Sequence, residues 1–300
     1  MLSVEKRKTI GALALGSLLG AAVTFGTVYP VLDASWNEDG SGSGNAVACA
    51  TAQPQSPKDV SNALYGTKTP QARVYDVSLN GLKHVNTHYH LGAEHKSING
   101  EYDTAHVTTS AARKLLNAGT VEYGFYCDAK VNALTVSDVA PYTFEHCSNT
   151  EVGQTYELHY VYSSGGTGIA DGLGGAFALQ ANPTVIVRAQ VYYVTNNDAD
   201  DVDDLMSGWN SSRISDAVTY SGSTTGRSYN NDDACSPYQI TWQVDRECHK
   251  VSAKSFDARC YKMKTDYGMS ADTEPHASRD LVIASLSSNY QIALTSSSWN

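Results

Sequence analysis

The sequence predicts a mainly β domain, an antiparallel sandwich or barrel with a few short helices, with an α+β arrangement as the alternative. Three observations carry that expectation. Apolar and polar residues alternate in several runs, the period of a half-buried strand. The chain holds 19 tyrosines, a residue that suits the pleated surface of a sheet. Turn-forming stretches such as Ser163-Ser-Gly-Gly-Thr-Gly separate the runs.

The elements follow in order. Arg73–Leu79 alternates, and so do His84–His90, Tyr156–Tyr162 and Gln239–Val244. Thr184–Val194 is long and apolar enough to lie centrally in a sheet. Two segments read as helices. Ser110–Gly119 has a capping Ser and a terminal Gly, and Lys250–Met263 sets Val251, Phe256 and Cys260 roughly on one side. Asp198–Asp204 carries five carboxylates in seven residues. It lacks the central Gly and terminal Glu of a calcium loop and reads as a solvated acidic turn.

The N-terminus has its own pattern. Lys6, Arg7 and Lys8 precede Thr9–Leu32, 24 residues without a charge. About 20 apolar residues suffice to span a bilayer. A basic flank stays on the cytoplasmic side, so the remainder of the chain is expected outside the cytoplasm, periplasmic or extracellular. Residues 1–33 are either a cleaved signal peptide or an uncleaved membrane anchor. The one good small-x-small site, Ala46-Val47-Ala48, lies far from the apolar run, which favours the anchor. Residues 34–58 read as a flexible linker and residues 59–300 as one domain.

Six cysteines, at 49, 127, 147, 235, 248 and 260, agree with an oxidising compartment. None forms a CxxC pair, which argues against a thiolate zinc site. Proximity in sequence suggests the disulfides Cys127–Cys147 and Cys248–Cys260. A net charge of −10 and a pI near 5.3 argue against a nucleic-acid partner.

The chemistry concentrates in His84-Val-Asn-Thr-His88-Tyr-His90-Leu-Gly-Ala-Glu94-His95. On a strand, the period of two places His84, Asn86, His88 and His90 on one face. His88 and His90 then project side by side and can ligate one metal ion. A catalytic zinc site keeps three protein ligands and one open position. His159, in Tyr156-Glu-Leu-His, is the first candidate for the third ligand, with Glu157 on the same face to hold a ligand imidazole. His95 is the second candidate, if the chain turns sharply at Gly92; His146 and His106 rank below it. Neutral imidazoles without sulfur ligands and with few nearby carboxylates favour zinc over copper(I), calcium and magnesium.

Two resemblances bear on this stretch. Gly81, His88, His90, Glu94 and Gly100 are spaced in a way that resembles the first cupin motif. That resemblance implies a cupin-like iron or manganese enzyme with Glu94 as a ligand. It covers about twenty residues, and the Pro-x-Gly of the second cupin motif is missing before His159. The other resemblance spans roughly residues 50 to 285. His88-Tyr-His90-Leu-Gly-Ala-Glu94-His95-Lys-Ser resembles the signature of the delta-class carbonic anhydrases and their bacterial relatives, an HxH followed closely by Ala-Glu-His. Pro54-Gln-Ser-Pro-Lys-Asp, Glu145-His-Cys147, Tyr156-Glu-Leu-His159, Cys248-His-Lys-Val-Ser-Ala and Pro275-His-Ala-Ser-Arg279 are similar in the same order. A Cys often precedes the HxH strand in that family, whereas Lys83-His84 stands here, so a disulfide pairs differently. The ExH strand at His159 is also similar to the third-ligand strand of the alpha-class enzymes.

The delta-class resemblance implies zinc on His88, His90 and His159 and reversible hydration of carbon dioxide to bicarbonate by a zinc-bound hydroxide. Zinc lowers the pKa of its water from 15.7 to about 7. Glu94 and His95 are the implied catalytic residues. Glu94 orients the hydroxide or a ligand imidazole, or else forms a salt bridge with Lys96 or Arg279. His95 or His84 carries the proton outward. A non-catalytic exported zinc-binding protein is the remaining alternative.

Overall fold

A computed structural model describes residues 55–56, 59–61, 81–98, 100–105, 124–128, 133–180, 183–206, 214, 216–224 and 240–278. The expected strand Arg73–Leu79, the expected helix Ser110–Gly119, the N-terminal segment and most of the linker lie outside them. So do Cys49, Cys235, His106 and Arg279.

Among the described residues the strands are β1 (Gln55–Ser56), β2 (Lys83–Leu91), β3 (Thr104–Ala105), β4 (Phe125–Tyr126), β5 (Thr155–Ser163), β6 (Val185–Thr195), β7 (Ala217–Thr224) and β8 (Ile240–Ser252). One α-helix, α1 (Ala253–Tyr267), and short 3₁₀ turns at Gly174–Phe177, Asp198–Asp200 and Ala271–Thr273 complete the described elements. The protein is mainly β with a few short helices, as the alternation predicts. Six strands form one sheet in the order β1-β7-β8-β6-β5-β2, and β3 pairs with β4. The sheet is mixed, because β6 runs parallel to β8. The chain leaves β6, forms β7 at the far side, and returns as β8 between them, antiparallel to β7.

β5 and β6 are buried along their whole length. Both faces of the sheet are therefore covered there, which explains why Thr184–Val194 is apolar enough to lie centrally. Leu158, Tyr160, Tyr162, Ile186 and Tyr192 pack with Phe256 and Cys260 of α1 on one face. Val161, Val187, Ala189, Val218, Trp242 and Val244 form a second cluster on the opposite face.

The helix begins at Ala253 rather than Lys250, because Lys250–Ser252 still belong to β8. The Ser252 hydroxyl accepts from the Ser255 amide at 3.1 Å and caps the first turn. Gly268, at φ +66°, ends the helix in the left-handed conformation.

Two disulfides occur among the described residues, Cys127–Cys248 and Cys147–Cys260. The pairing expected from proximity is therefore incorrect. Cys248 sits with Val191 and Tyr193 on one face of the sheet, whereas Cys260 sits with α1 on the other. The sheet separates two cysteines that are only twelve positions apart in the chain. Each bond closes a long loop, with sequence separations of 121 and 113. In the chain-entropy account, loops of that length give large stabilisation. Replacing Cys147 and Cys260 together by serine should lower the unfolding free energy by about 2–5 kcal/mol. Urea unfolding of the double variant beside the parent measures this, and equal midpoints would contradict it.

Candidate metal centre

β2 and β5 build the centre. Their antiparallel register pairs His88 with His159 and His90 with Glu157. The pairing thus brings one imidazole of β5 against the two of β2. The ring centroids lie 5.1 Å apart for His88–His90, 5.0 Å for His88–His159 and 4.8 Å for His90–His159. All three residues are buried, His159 almost completely at 1 % exposure.

Hydrogen bonds hold each ring by its outer nitrogen. Asn86 donates its amide to Asp272 Oδ2 at 2.6 Å and to the Ala170 carbonyl at 3.0 Å, so its Oδ1 is the acceptor facing His88. His88 Nδ1–H donates to that oxygen at 2.6 Å. His90 Nδ1–H donates to the Ala277 carbonyl at 2.9 Å. His159 Nε2–H donates to Glu157 Oε1 at 2.9 Å. The inner nitrogens, available to a metal in the neutral rings, are His88 Nε2, His90 Nε2 and His159 Nδ1.

His88 Nε2 and His159 Nδ1 stand 3.2 Å apart. Either a proton shared between the two nitrogens or a metal cation bound by both satisfies a contact of that length. Nitrogens bound to one tetrahedral zinc at about 2.0–2.1 Å are themselves separated by about 3.3 Å. The residues thus fit a zinc ion by donor type, and the spacing of His88 Nε2 and His159 Nδ1 suits one. Each ring is held from behind by an acceptor, as ligand imidazoles in metal sites are.

His84 departs from the expected face. The register shifts between His84 and Asn86, so Val85 is an extra residue in β2. A bulge of one residue reverses the facing of everything before it. His84 therefore stacks on Tyr162, at 4.9 Å between centroids, on the α1 side of the sheet. Burial, aided by the nearby Arg259, pushes its pKa down to about 4 from 6.5, against a backbone hydrogen bond at Asn86. Unfolding restores the ordinary value, so the unfolded chain binds the extra proton below pH 6.5. Stability is full above that pH and falls as pH drops toward 4, by roughly 3 kcal/mol for this residue. His84→Phe, which keeps the ring stack, should flatten the stability profile between pH 6.5 and 4. An unchanged slope in chemical unfolding would contradict this.

Gly92 makes the turn that brings Glu94 and His95 back over the sheet. Its φ is +77°, and a Cβ there would lie 2.6 Å from Gly124 Cα. Only glycine satisfies both demands. Beyond the turn, Glu94 is fully buried, with one oxygen 3.4 Å from His90 Nδ1 and the other 3.8 Å from His159 Nε2. It therefore backs two rings of the trio. Lys96, the expected salt-bridge alternative, lies 3.6 Å from Asp59 instead.

His95 is also fully buried, and both its nitrogens are engaged. Nδ1 lies 2.7 Å from Glu157 Oε1, and Nε2 lies 2.8 Å from the Tyr220 hydroxyl. The His95 amide donates to Glu157 Oε2 at 3.1 Å. Burial alone would raise the Glu157 pKa. The charge of His95 and hydrogen bonds from His159 and His95 more than reverse that and hold it well below the usual carboxylate range. His146, a lower candidate, packs on Tyr261 of α1 and takes no part.

The sequence reading did not single out His276 as a site residue. Residues 275–278 run along the free edge of β2, with the His276 amide donating to the Tyr89 carbonyl at 2.8 Å. The His276 ring stacks on His88 at 5.1 Å, and its Nε2 lies 3.1 Å from Asp272 Oδ1. With 23 % of its side chain exposed, it forms the rim of the cluster. Its signal was the Pro275-His-Ala-Ser segment, which no strand periodicity connects to His88. His88, His90 and His276 offer ligand atoms within 4.8 Å of one another, as do His90, Glu94 and His159. His95, Glu157 and His159 form a further such group. Another, Asp245, Glu247 and His249, lies elsewhere at an irregularity of β8, where Asp245 and His249 pair at 2.7 Å.

An apolar wall adjoins the cluster. The Trp242 ring lies 5.3 Å from His159 and 5.2 Å from His95, beside Ala189 and Val244.

No curated protein and no solved structure is significantly similar to the chain. The family model for delta carbonic anhydrase matches residues 79–255, a stretch that includes β2, the Gly92 turn and the whole of β5. That match covers more than half of the sequence, and the chain belongs to the delta carbonic anhydrase family.

Proposed function

We propose that the protein is a zinc-dependent carbonic anhydrase whose metal is held by His88 Nε2, His90 Nε2 and His159 Nδ1. The observation that carries this reading is the approach of three buried imidazoles whose outer nitrogens face acceptors, with His88 Nε2 and His159 Nδ1 3.2 Å apart. When bound, zinc supplies Lewis acidity that ionises water near neutral pH, the chemistry that hydration of carbon dioxide requires.

The chain's own residues do the rest. Asn86, the Ala277 carbonyl and Glu157 hold the rings in place through their outer N–H groups. Glu94 supports His90 and His159 from behind, and His95 fixes Glu157. The wall of Trp242, Ala189 and Val244 offers carbon dioxide an apolar surface and keeps water from that side. In this reading Glu94 and His95 are positioning residues. Glu94 faces the nitrogens that carry protons, which speaks against a cupin-like centre with Glu94 as a ligand.

His276 is the rival third ligand, because its ligand atom lies within 4.8 Å of those of His88 and His90. His159 is favoured because its ring stands nearly perpendicular to His88, at 85°, and directs a nitrogen at Nε2. His276 lies almost flat on the same ring, at 17°. Two long-range disulfides support an oxidising compartment, and residues 1–33 are proposed to direct export. No helix among the described residues is long and apolar enough to cross a membrane.

The test is a stopped-flow carbon dioxide hydration assay on the full chain, with zinc loaded and then removed by a chelator. Hydration should appear with one zinc per chain and vanish on chelation. A fully loaded protein with no hydration above buffer would leave only the non-catalytic zinc-binding alternative.

A further inference from the structure

The face of the sheet opposite the histidine cluster holds a buried cation that the proposed chemistry does not use. Arg259 projects from α1 and is 1 % exposed. Its Nη2 donates to Thr87 Oγ1 at 2.9 Å, and its guanidinium carbon lies 5.2 Å over the Tyr89 ring. Nε and Nη1 are enclosed and have no hydrogen-bond partner among the described residues. No carboxylate among the described residues lies within ion-pair distance. Asp272, the nearest acidic influence, spends its oxygens on Asn86, the Gly172 amide and His276. Asp257, on the same helix, accepts from the amides of Glu145, His146 and Cys147.

A guanidinium remains protonated in proteins. Burial of its charge without a counter-charge is strongly unfavourable, and a cation–π contact offsets only part of that. A second enclosed group borders the same charge. His84 Nε2 also has no hydrogen-bond partner, and its ring feels the Arg259 charge.

We infer that Arg259 and His84 line a site for one small monovalent inorganic anion, held between α1 and the sheet. A single positive charge matches a single negative one, so chloride or bicarbonate fits better than sulfate or phosphate. The enclosure excludes bulky organic anions. His84, kept neutral by burial, borders the site without adding a second charge. Thr87 is adjacent to His88 in β2, so the anion and the proposed metal sit on opposite faces of one strand.

Thermal unfolding of the full chain tests this, in sodium isethionate, chloride or bicarbonate at matched ionic strength. Chloride or bicarbonate should raise the melting temperature saturably, by about 5 °C at a concentration some hundredfold above Kd. Isethionate should not. The anion with the lower half-saturation concentration is the occupant. The effect should persist after zinc is stripped and should disappear in Arg259→Met. Where Arg259→Met does not fold, chloride-35 line broadening in His84→Phe replaces it, with weakened binding expected. An equal rise in isethionate, a rise lost with zinc, a rise retained in Arg259→Met, or no anion dependence at all would each overturn the proposal. The last result would assign water to the site.

Discussion

His159→Ala should abolish zinc retention and, with it, carbon dioxide hydration. The substitution removes the one proposed ligand on β5 and would leave His88 and His90, adjacent on a single strand, to hold the ion. It also strips Glu157 of one of its two imidazole partners. Loss of an outer partner alone typically costs 10–100-fold in metal affinity. Loss of the ligand should exceed the upper end of that range. Zinc analysis after dialysis against a weak chelator measures it, beside hydration activity. His276→Ala is the control and should retain zinc. If His276→Ala loses the metal while His159→Ala keeps it, the ligand set is His88, His90 and His276, and the proposed assignment fails.

The second large effect is expected at Glu157. Its Oε1 lies 2.9 Å from His159 Nε2 and 2.7 Å from His95 Nδ1, and its Oε2 accepts from the His95 amide. Glu157→Gln keeps the shape but adds two N–H donors where acceptors are needed. Whichever way the amide turns, a donor meets a donor in a fully buried place. We expect zinc affinity to fall about 10–100-fold, and stability by about 1–3 kcal/mol, the cost of a buried group left unsatisfied. A competitive zinc titration and urea unfolding of the metal-free protein separate the two effects. Unchanged zinc affinity would show that the ring of His159 needs no partner behind it.

Much of the centre was legible in the chain because strand period is a local property. His88 and His90 share a face for that reason alone, and Glu157 and His159 share another. The Ala-Glu-His that follows Gly92 marked the right turn. The role of His84 was misread because one residue, Val85, is inserted in the ladder. Nothing in the alternation of His84-Val-Asn-Thr-His announces a bulge. The disulfides were misread for a related reason. Cys248 and Cys260 are near in sequence, but a strand end and a helix reversal put a sheet between them. His276 was not singled out because it reaches His88 along the edge of β2, almost 190 positions later.

The sequence by itself determined the strand character, the HxH pair, its likeness to the delta class, and a helix near Lys250–Met263. These follow from residue types and short spacings. Only the tertiary structure decided that the histidine of β5 meets the pair, which acceptor lies behind each ring, and that Glu94 backs the rings. Register, hydrogen-bond acceptors and the face on which a distant segment lands depend on pairings between residues far apart in the chain. Those pairings are set by burial of both faces of the sheet, which no short stretch of sequence contains.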